Sequence, residues 1–277
     1  MNLAETARAI SAEIRSRLSR PNLATHMNEE DHTYRMDAYP DLRFVSVTTA
    51  LNAVHKPFDK EYYARKKAKE LFTTPKAVLN MWQRANDFAC NKGTLVHAFL
   101  EDSLNSFPER VDESKYLCDD EKLNCAYLFS VAHAKAFLDD YVYAGHLYPV
   151  ASELVLGVAE WGIAGTIDQL FMDTDGNLLI YDWKTNKNFV SSYKTKTSLL
   201  PPFDGYPDEK LTTYSIQLRT YKRMFEYLTG LHVSDCRLVW FSEEERRHYE
   251  VYATLDNLPI DSFLKEIVND RKKYPRR

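Results

Sequence analysis

Nowhere in these 277 residues do about 18 apolar residues follow one another, so no membrane-spanning helix is expected. Cysteine is scarce: Cys90, Cys118, Cys125 and Cys236 are the only four, and no two form a CxxC pair. This spacing speaks against a structural zinc site and against a disulfide framework. A reducing compartment, the cytoplasm, is the expected setting. Arg8, Arg15, Arg17 and Arg20 lend the N-terminus some presequence character, which Glu5 and Glu13 weaken. There is no internal repeat. What is present is 44% hydrophobic and 13% aromatic, enough to bury a sizeable core as one unit with an elaborated N-terminal region.

The formal net charge of −4 conceals a strong division along the chain. Residues 1–100 carry 15 Lys/Arg against 11 Asp/Glu, residues 101–182 carry 4 against 16, and residues 183–277 carry 17 against 13. Any contact with a polyanion should therefore come from the two flanking regions. The acidic middle holds candidate site carboxylates and a solvated helical surface from Asp119 to Asp140.

That middle contains the most telling feature. Ile163 to Met172 and Asn177 to Lys184 are rich in β-branched and aliphatic residues, and Asp173-Thr174-Asp175-Gly176 between them is turn chemistry. A turn centred on Asp175 sets Asp168 opposite Asp182, with Cα atoms at about 4.5–5.5 Å. Two like charges in that position repel unless a cation lies between them, and oxygen donors suit Mg²⁺ or Mn²⁺. Alternation along the strand sends Lys184 to the same side as Asp182, where an ammonium can orient or activate a water against a phosphate. DxK alone is a common tripeptide. The lead-in Leu178-Leu179-Ile180-Tyr181 makes this an interior strand, where unpaired charge is costly.

Further residues belong to the same neighbourhood. Ser152 to Leu156 reads as a strand antiparallel to the Ile163 strand, placing Glu153 near Thr166. Glu153 could pair with Lys184, support a bound cation from further out, or be a plain surface carboxylate. Asn91 to Glu101 has helical spacing, with His97 and Glu101 on one face. Leu211, Tyr214, Leu218, Tyr221, Phe225 and Leu228 form an amphipathic helical stripe. Tyr221 thus has a packing explanation as well as a functional one, and Gln217 sits beside the stripe.

Taken in order, Gly93-Thr94-x-x-His97, Glu153, Gly165-x-x-Asp168, Asp182-x-Lys184 and Gln217-x-x-x-Tyr221 resemble the RecB-type branch of the PD-(D/E)XK nuclease superfamily. The resemblance spans roughly Gly93 to Tyr221. Phe44 to Thr49 also resembles stand-alone phage and mitochondrial genome-maintenance exonucleases of that branch. It implies an α/β fold, a mixed sheet flanked by helices with a restriction-endonuclease-like core, and a metal-dependent exonuclease acting on single-stranded DNA ends in replication, recombination or repair. His97, Asp168, Asp182 and the Trp183 carbonyl would hold the metal, Lys184 would be catalytic, Glu153 supporting, and Gln217 and Tyr221 further site residues. The host cytoplasm and a recombination or replication partner follow from the same likeness. Some relatives carry an iron-sulfur cluster on one upstream cysteine and three near the C-terminus; with only Cys236 beyond Lys184, no cluster is expected here.

Two basic segments are candidate nucleic-acid contacts. One runs from Lys56 to Lys69 as an aromatic and basic helix bearing Lys66, Lys67 and Lys69. The other is the loop Asn186 to Pro207, where Lys187, Lys194 and Lys196 interleave with Phe189, Tyr193, Phe203 and Tyr206. The remaining expectations are an opening helix Leu3 to Leu18, a hairpin around Thr33 to Thr48, strands at Arg237 to Phe241 and His248 to Ala253, and a last helix from Asp256. A helical wall or arch of residues 1–90 would precede a core of residues 91–277.

Overall fold

The computed structural model describes residues 2–28, 31, 33–186, 197–241 and 249–276. A mixed six-stranded sheet lies between two layers of helices. Helix α1 (Leu3–Leu18) starts in a capping box: Asn2 Oδ1 accepts from the Glu5 N–H at 2.8 Å while Glu5 Oε2 accepts from the Asn2 N–H at 3.0 Å. A small separate hairpin, β1 (Thr25–Asn28) with β2 (Thr33–Met36), follows. The expected hairpin of Thr33 to Thr48 is therefore displaced: its second half is a two-residue strand, β3 (Val45–Ser46), leading directly into helix α2 (Val47–Asn52). Ser46 Oγ accepts the Thr49 N–H at 3.0 Å, and this cap commits the β-branched Val47-Thr48-Thr49 run to helix.

Helix α3 (Lys60–Glu70) is capped by Asp59, so the basic helix begins four residues later than its composition indicates. Helix α4 (Pro75–Asn105) opens with Thr74 as cap and proline in its first turn, then runs unbroken for 31 residues, through positions 90 and 91. Helix α5 (Glu121–Phe137) packs beside it and passes into a π-helical turn, Leu138–Tyr143.

Three strands then build the centre: β4 (Leu147–Val158), β5 (Ile163–Asp173) and β6 (Leu178–Lys184). Asp173 Oδ1 accepts the N–H groups of Asp175 and Asn177 at 2.9 and 2.8 Å, and Gly176 takes φ +86°, which fixes the tight turn and with it the register. Gln169 faces Tyr181 and Met172 faces Leu178, the alignment that a turn centred on Asp175 requires. Helix α6 (Lys210–Thr229), ended by Gly230 at φ +71°, returns the chain to β7 (Val233–Phe241), parallel to β6, and β8 (Tyr249–Ala253) closes that edge. Helix α7 (Ile260–Asn269) starts after Pro259 rather than at Asp256, because Asn257 adopts φ +58° and breaks any earlier turn.

Alternation along β6 divides the core. Tyr181 and Trp183 join Phe171, Val239 and Phe241 under α4 and α5, while Leu178 and Ile180 join Leu170, Met172 and Leu238 under α1, α2, α6 and α7. Within the loop following β6, Phe203 is fully buried against Phe263 and Leu199 is buried beside it. The expected place of Phe203 in a nucleic-acid-contacting loop is thereby corrected: the ring belongs to the core. No helix among the described residues is long and apolar enough to cross a membrane.

Candidate active site

The sheet is split at one place, and the site occupies the split. One edge of β5 pairs with β4 along its whole length; the other is shared between β3, at Ile163 and Ala164, and β6, from Gln169 onward. Residues Gly165 to Asp168 are left without a strand neighbour on that edge, because the β5–β6 ladder ends at Gln169 and Tyr181. Where it ends, the Trp183 N–H donates to Asp168 Oδ2 at 2.9 Å. A strand residue turns its N–H and C=O to the same side, so the Trp183 carbonyl faces the notch as well.

Five polar side chains meet there. His97 comes from α4, Glu153 from β4, Asp168 from β5, and Asp182 and Lys184 from β6; all five line one cleft of about 370 Å³, together with Met27, Tyr34, Ser46, Thr48, Gly165, Thr166, Trp183, Gln217 and Tyr221. His97 Nδ1 lies 3.7 Å from Glu153 Oε1 and 3.7 Å from Asp168 Oδ2. These three residues can each offer one ligand atom within 4.8 Å of the others. Lys184 Nζ is ion-paired with Asp182 Oδ2, an oxygen that accepts no well-directed hydrogen bond, and lies 4.5 Å from the centroid of the Tyr214 ring.

Two expectations about this group change. Glu153 stands opposite Asp168 rather than Thr166, since Ser152 pairs with Gln169 and Leu154 with Ile167. Its backbone takes φ +46°, a left-handed conformation that a non-glycine residue rarely adopts, and this kink aims the carboxylate at His97 instead of Lys184. Asp182 turns to Lys184, so the close His-carboxylate set is His97, Glu153 and Asp168, with Asp182 behind it.

The electrostatics are those of anions crowded in a partly dehydrated place. Burial pushes Asp182 up to about 6, with Lys184 opposing and Asp168 reinforcing the shift. Burial likewise raises Asp168, against the pull of His97. Burial works against the His97 imidazolium, but Asp168 and Glu153 outweigh it and lift the group to about 9. Lys184 loses by burial and gains more from Asp182 and Asp168, so it is held above its ordinary value. Carboxylates that raise nearby bases in this way are calling for positive charge, and one imidazole with two carboxylates is a donor set that fits a divalent cation.

Gln217 and Tyr221 are both buried on α6, with Gln217 Nε2 donating to Tyr221 Oη at 3.2 Å, so the stripe residue packs and lines the cleft at once. Tyr221 explains Gly165: a Cβ there would lie 2.4 Å from Tyr221 Cε1. Gly165→Ala is expected to destabilise the protein by about 1–3 kcal/mol through overpacking. Denaturant unfolding should show a smaller cost in a Tyr221→Ala background, and equal costs in both backgrounds would refute the steric account.

Tyr34, whose hydroxyl lies 3.3 Å from Thr166 Oγ1, is a cleft residue that nothing in the sequence marks, and Ser46 and Thr48, within the Phe44 to Thr49 segment, line the cleft without having been expected as site residues. Tyr214 and Lys92 were missed too; buried Lys92 donates to the Thr185 carbonyl at 2.8 Å and ties α4 to the end of β6. Helical spacing alone would have placed Tyr214 one turn before Gln217 and Leu218. Of the expected nucleic-acid contacts, Lys66, Lys67 and Lys69 are exposed on α3, whereas Lys187, Tyr193, Lys194 and Lys196 lie outside the described residues.

No family model matches this chain, and no curated protein matches it. Among solved structures it is similar to a protein described as a candidate exonuclease from Eubacterium rectale, at 14% identity over 90% of this chain and 85% of that one, with a TM-score of 0.47. It is also similar to a protein named SSO0001, at 12% identity over 96% and 84%, with a TM-score of 0.32. At these scores the likeness adds nothing to the geometry above.

Proposed function

We propose that this protein is a divalent-metal-dependent DNA exonuclease that hydrolyses phosphodiester bonds from single-stranded ends. The observation that carries the reading is the convergence, at one break in the sheet, of His97, Glu153 and Asp168 with the ion pair of buried Asp182 and half-buried Lys184. His97, Glu153 and Asp168, joined by the Trp183 carbonyl, would hold Mg²⁺ or Mn²⁺, with Asp182 completing the negative field. Once bound, the cation supplies Lewis-acid polarisation of the phosphate and stabilisation of its developing charge. Lys184 orients the attacking water and a phosphate oxygen, held in place by Asp182 and the Tyr214 ring. Gln217 and Tyr221 shape the wall opposite, and Lys66, Lys67 and Lys69 hold the strand as it enters.

An imidazole among the donors favours manganese over magnesium, since nitrogen ligands bind first-row transition ions better than they bind Mg²⁺. Half-maximal cleavage is therefore expected at a lower concentration of Mn²⁺ than of Mg²⁺. Titration of nuclease activity with each ion checks this, and a preference for Mg²⁺ would argue that His97 stays out of the coordination sphere.

The mode of attack is tested with end-labelled linear and covalently closed circular DNA, single and double stranded. Linear single strands are expected to be degraded while circular single strands resist. Rapid nicking of a closed circle by the purified protein, lost in an Asp182 variant, would make it an endonuclease on the same site. Absence of cleavage on all four substrates, with retained binding, would make it a nucleic-acid-binding protein.

A further inference from the structure

The paired helices α3 and α4 carry a surface that neither the core nor the cleft uses. Ala64 and Ala68 of α3 are buried one turn apart against Val78 of α4, with Leu79 and Trp82 beside them, in a small cluster separate from the main core. The small alanine side chains let the helices approach closely, and everything larger on α3 must then point away. Phe58 is 61% exposed, Tyr62 54% and Tyr63 45%. Exposing three aromatic rings forgoes on the order of 2 kcal/mol of burial for each, which is unusual where nothing covers them.

The rings are also ordered relative to one another. Phe58 stacks on Tyr63 with centroids 4.8 Å apart and planes at 11°, and Tyr62 meets Tyr63 edge-on at 5.2 Å. Tyr62, Lys66 and Lys69 fall at i, i+4 and i+7, the face of α3 opposite Ala64 and Ala68, so one ring and two ammonium groups share one line. Residues 56–84 hold eight Lys/Arg against three Asp/Glu. Helix α4 is continuous from this surface to His97, which lies about 24 Å along the helix axis from Met81 at 1.5 Å per residue.

We infer that this face of α3 is a stacking platform for single-stranded nucleic acid, its rings taking unpaired bases and its lysines the phosphates. The inference rests on the proposed nuclease reading and gives it a source of strand preference. Every base has a π-face, so stacking is indifferent to sequence, but bases in a duplex are already stacked on each other and cannot reach the rings. A membrane surface would also accept lysines and aromatics. Rings already paired face-to-face and edge-on suit flat bases better than acyl chains.

The test is equilibrium binding of the full chain in EDTA, which removes cleavage from the measurement. The probe is a single-stranded oligothymidylate carrying one 2-aminopurine, compared with a duplex of the same length and with vesicles of phosphatidylserine and phosphatidylcholine. The single strand is expected to bind tightest, with quenching of the 2-aminopurine. Tyr62→Ala and Phe58→Ala should each weaken it roughly fivefold or more, with the salt dependence unchanged, and Tyr62→Phe should restore binding. Lys66→Glu should reduce the salt slope by about 0.7 unit or more. Equal affinity for duplex and single strand, indifference to the ring variants, or vesicle binding lost in those same variants would each overturn the platform. Single-strand binding through these rings by a protein that cuts nothing would overturn the nuclease reading alone.

Discussion

Asp182→Asn is expected to lower phosphodiester cleavage by about 10³-fold or more while the protein stays folded. Asparagine keeps the shape of the side chain in a position that is 2% exposed, so no cavity opens, and the loss is confined to charge. That charge serves two purposes. It deepens the field in which His97, Glu153 and Asp168 would take up a cation, and it pins Lys184 at the mouth of the notch. In the metal-free protein it is also held at a cost, because burial raises Asp182 to about 6, above the ordinary carboxylate range. A group raised in the folded state favours folding at low pH and loses that contribution as pH climbs through its folded value. The parent should therefore give up stability between about pH 4 and 6, and the asparagine variant should show a smaller step, because Asp168, which burial also raises, remains. Nuclease assays and denaturant midpoints across this range measure both effects. Cleavage unchanged in the purified variant would remove Asp182 from the mechanism.

How far the sequence foretold this site depends on how local each feature is. The register of the β5–β6 hairpin was legible because its turn is set by neighbours, Asp173 accepting from Asp175 and Asn177 and Gly176 supplying the left-handed position, although the ladder stops one pair short of the expected Asp168 and Asp182. Helix α1 keeps its expected bounds, Leu3 to Leu18, and the stripe on α6 announced its buried face. The geometry of Glu153 was not legible. Its left-handed backbone occurs at a residue with a Cβ, so no glycine marks it. The notch itself is a property of two strands, β3 and β6, sharing one edge of β5, which no window of sequence contains.

The contributions from the N-terminal region were obscured for a related reason. Tyr34 sits in a short strand whose pattern looks like any solvent-facing hairpin, and it reaches Thr166 only through the packing of that hairpin on β4. Thr48 was misread because the β-branched Val47-Thr48-Thr49 run favoured strand, while the Ser46 cap at the end of β3 turned the chain into helix. At Gly93, α4 passes close to the end of β6, where a Cβ would lie in van der Waals contact 3.4 Å from Thr185 Oγ1, a proximity the sequence could not state. Together with Lys92 bonded to the Thr185 carbonyl, it sets the height at which His97 enters the site.

Lys184→Gln should separate chemistry from binding more sharply than any other change in the cleft. The ammonium is half-buried, paired with Asp182 and backed by the Tyr214 ring, so it is positioned before substrate arrives. A group held in this way contributes most where charge develops, and its removal is expected to cost about 10²–10³-fold in turnover. DNA binding in Ca²⁺, which supports binding without cleavage in this design, should stay close to that of the parent, because the exposed lysines of α3 are left intact. The pH profile carries a second signature. Lys184 opposes the upward shift of Asp182, so without it the carboxylate rises further above about 6 and the acid limb of the rate profile should move to higher pH. A variant whose affinity in Ca²⁺ falls as far as its turnover, with the acid limb unmoved, would make Lys184 a phosphate anchor with no part in activating the nucleophile.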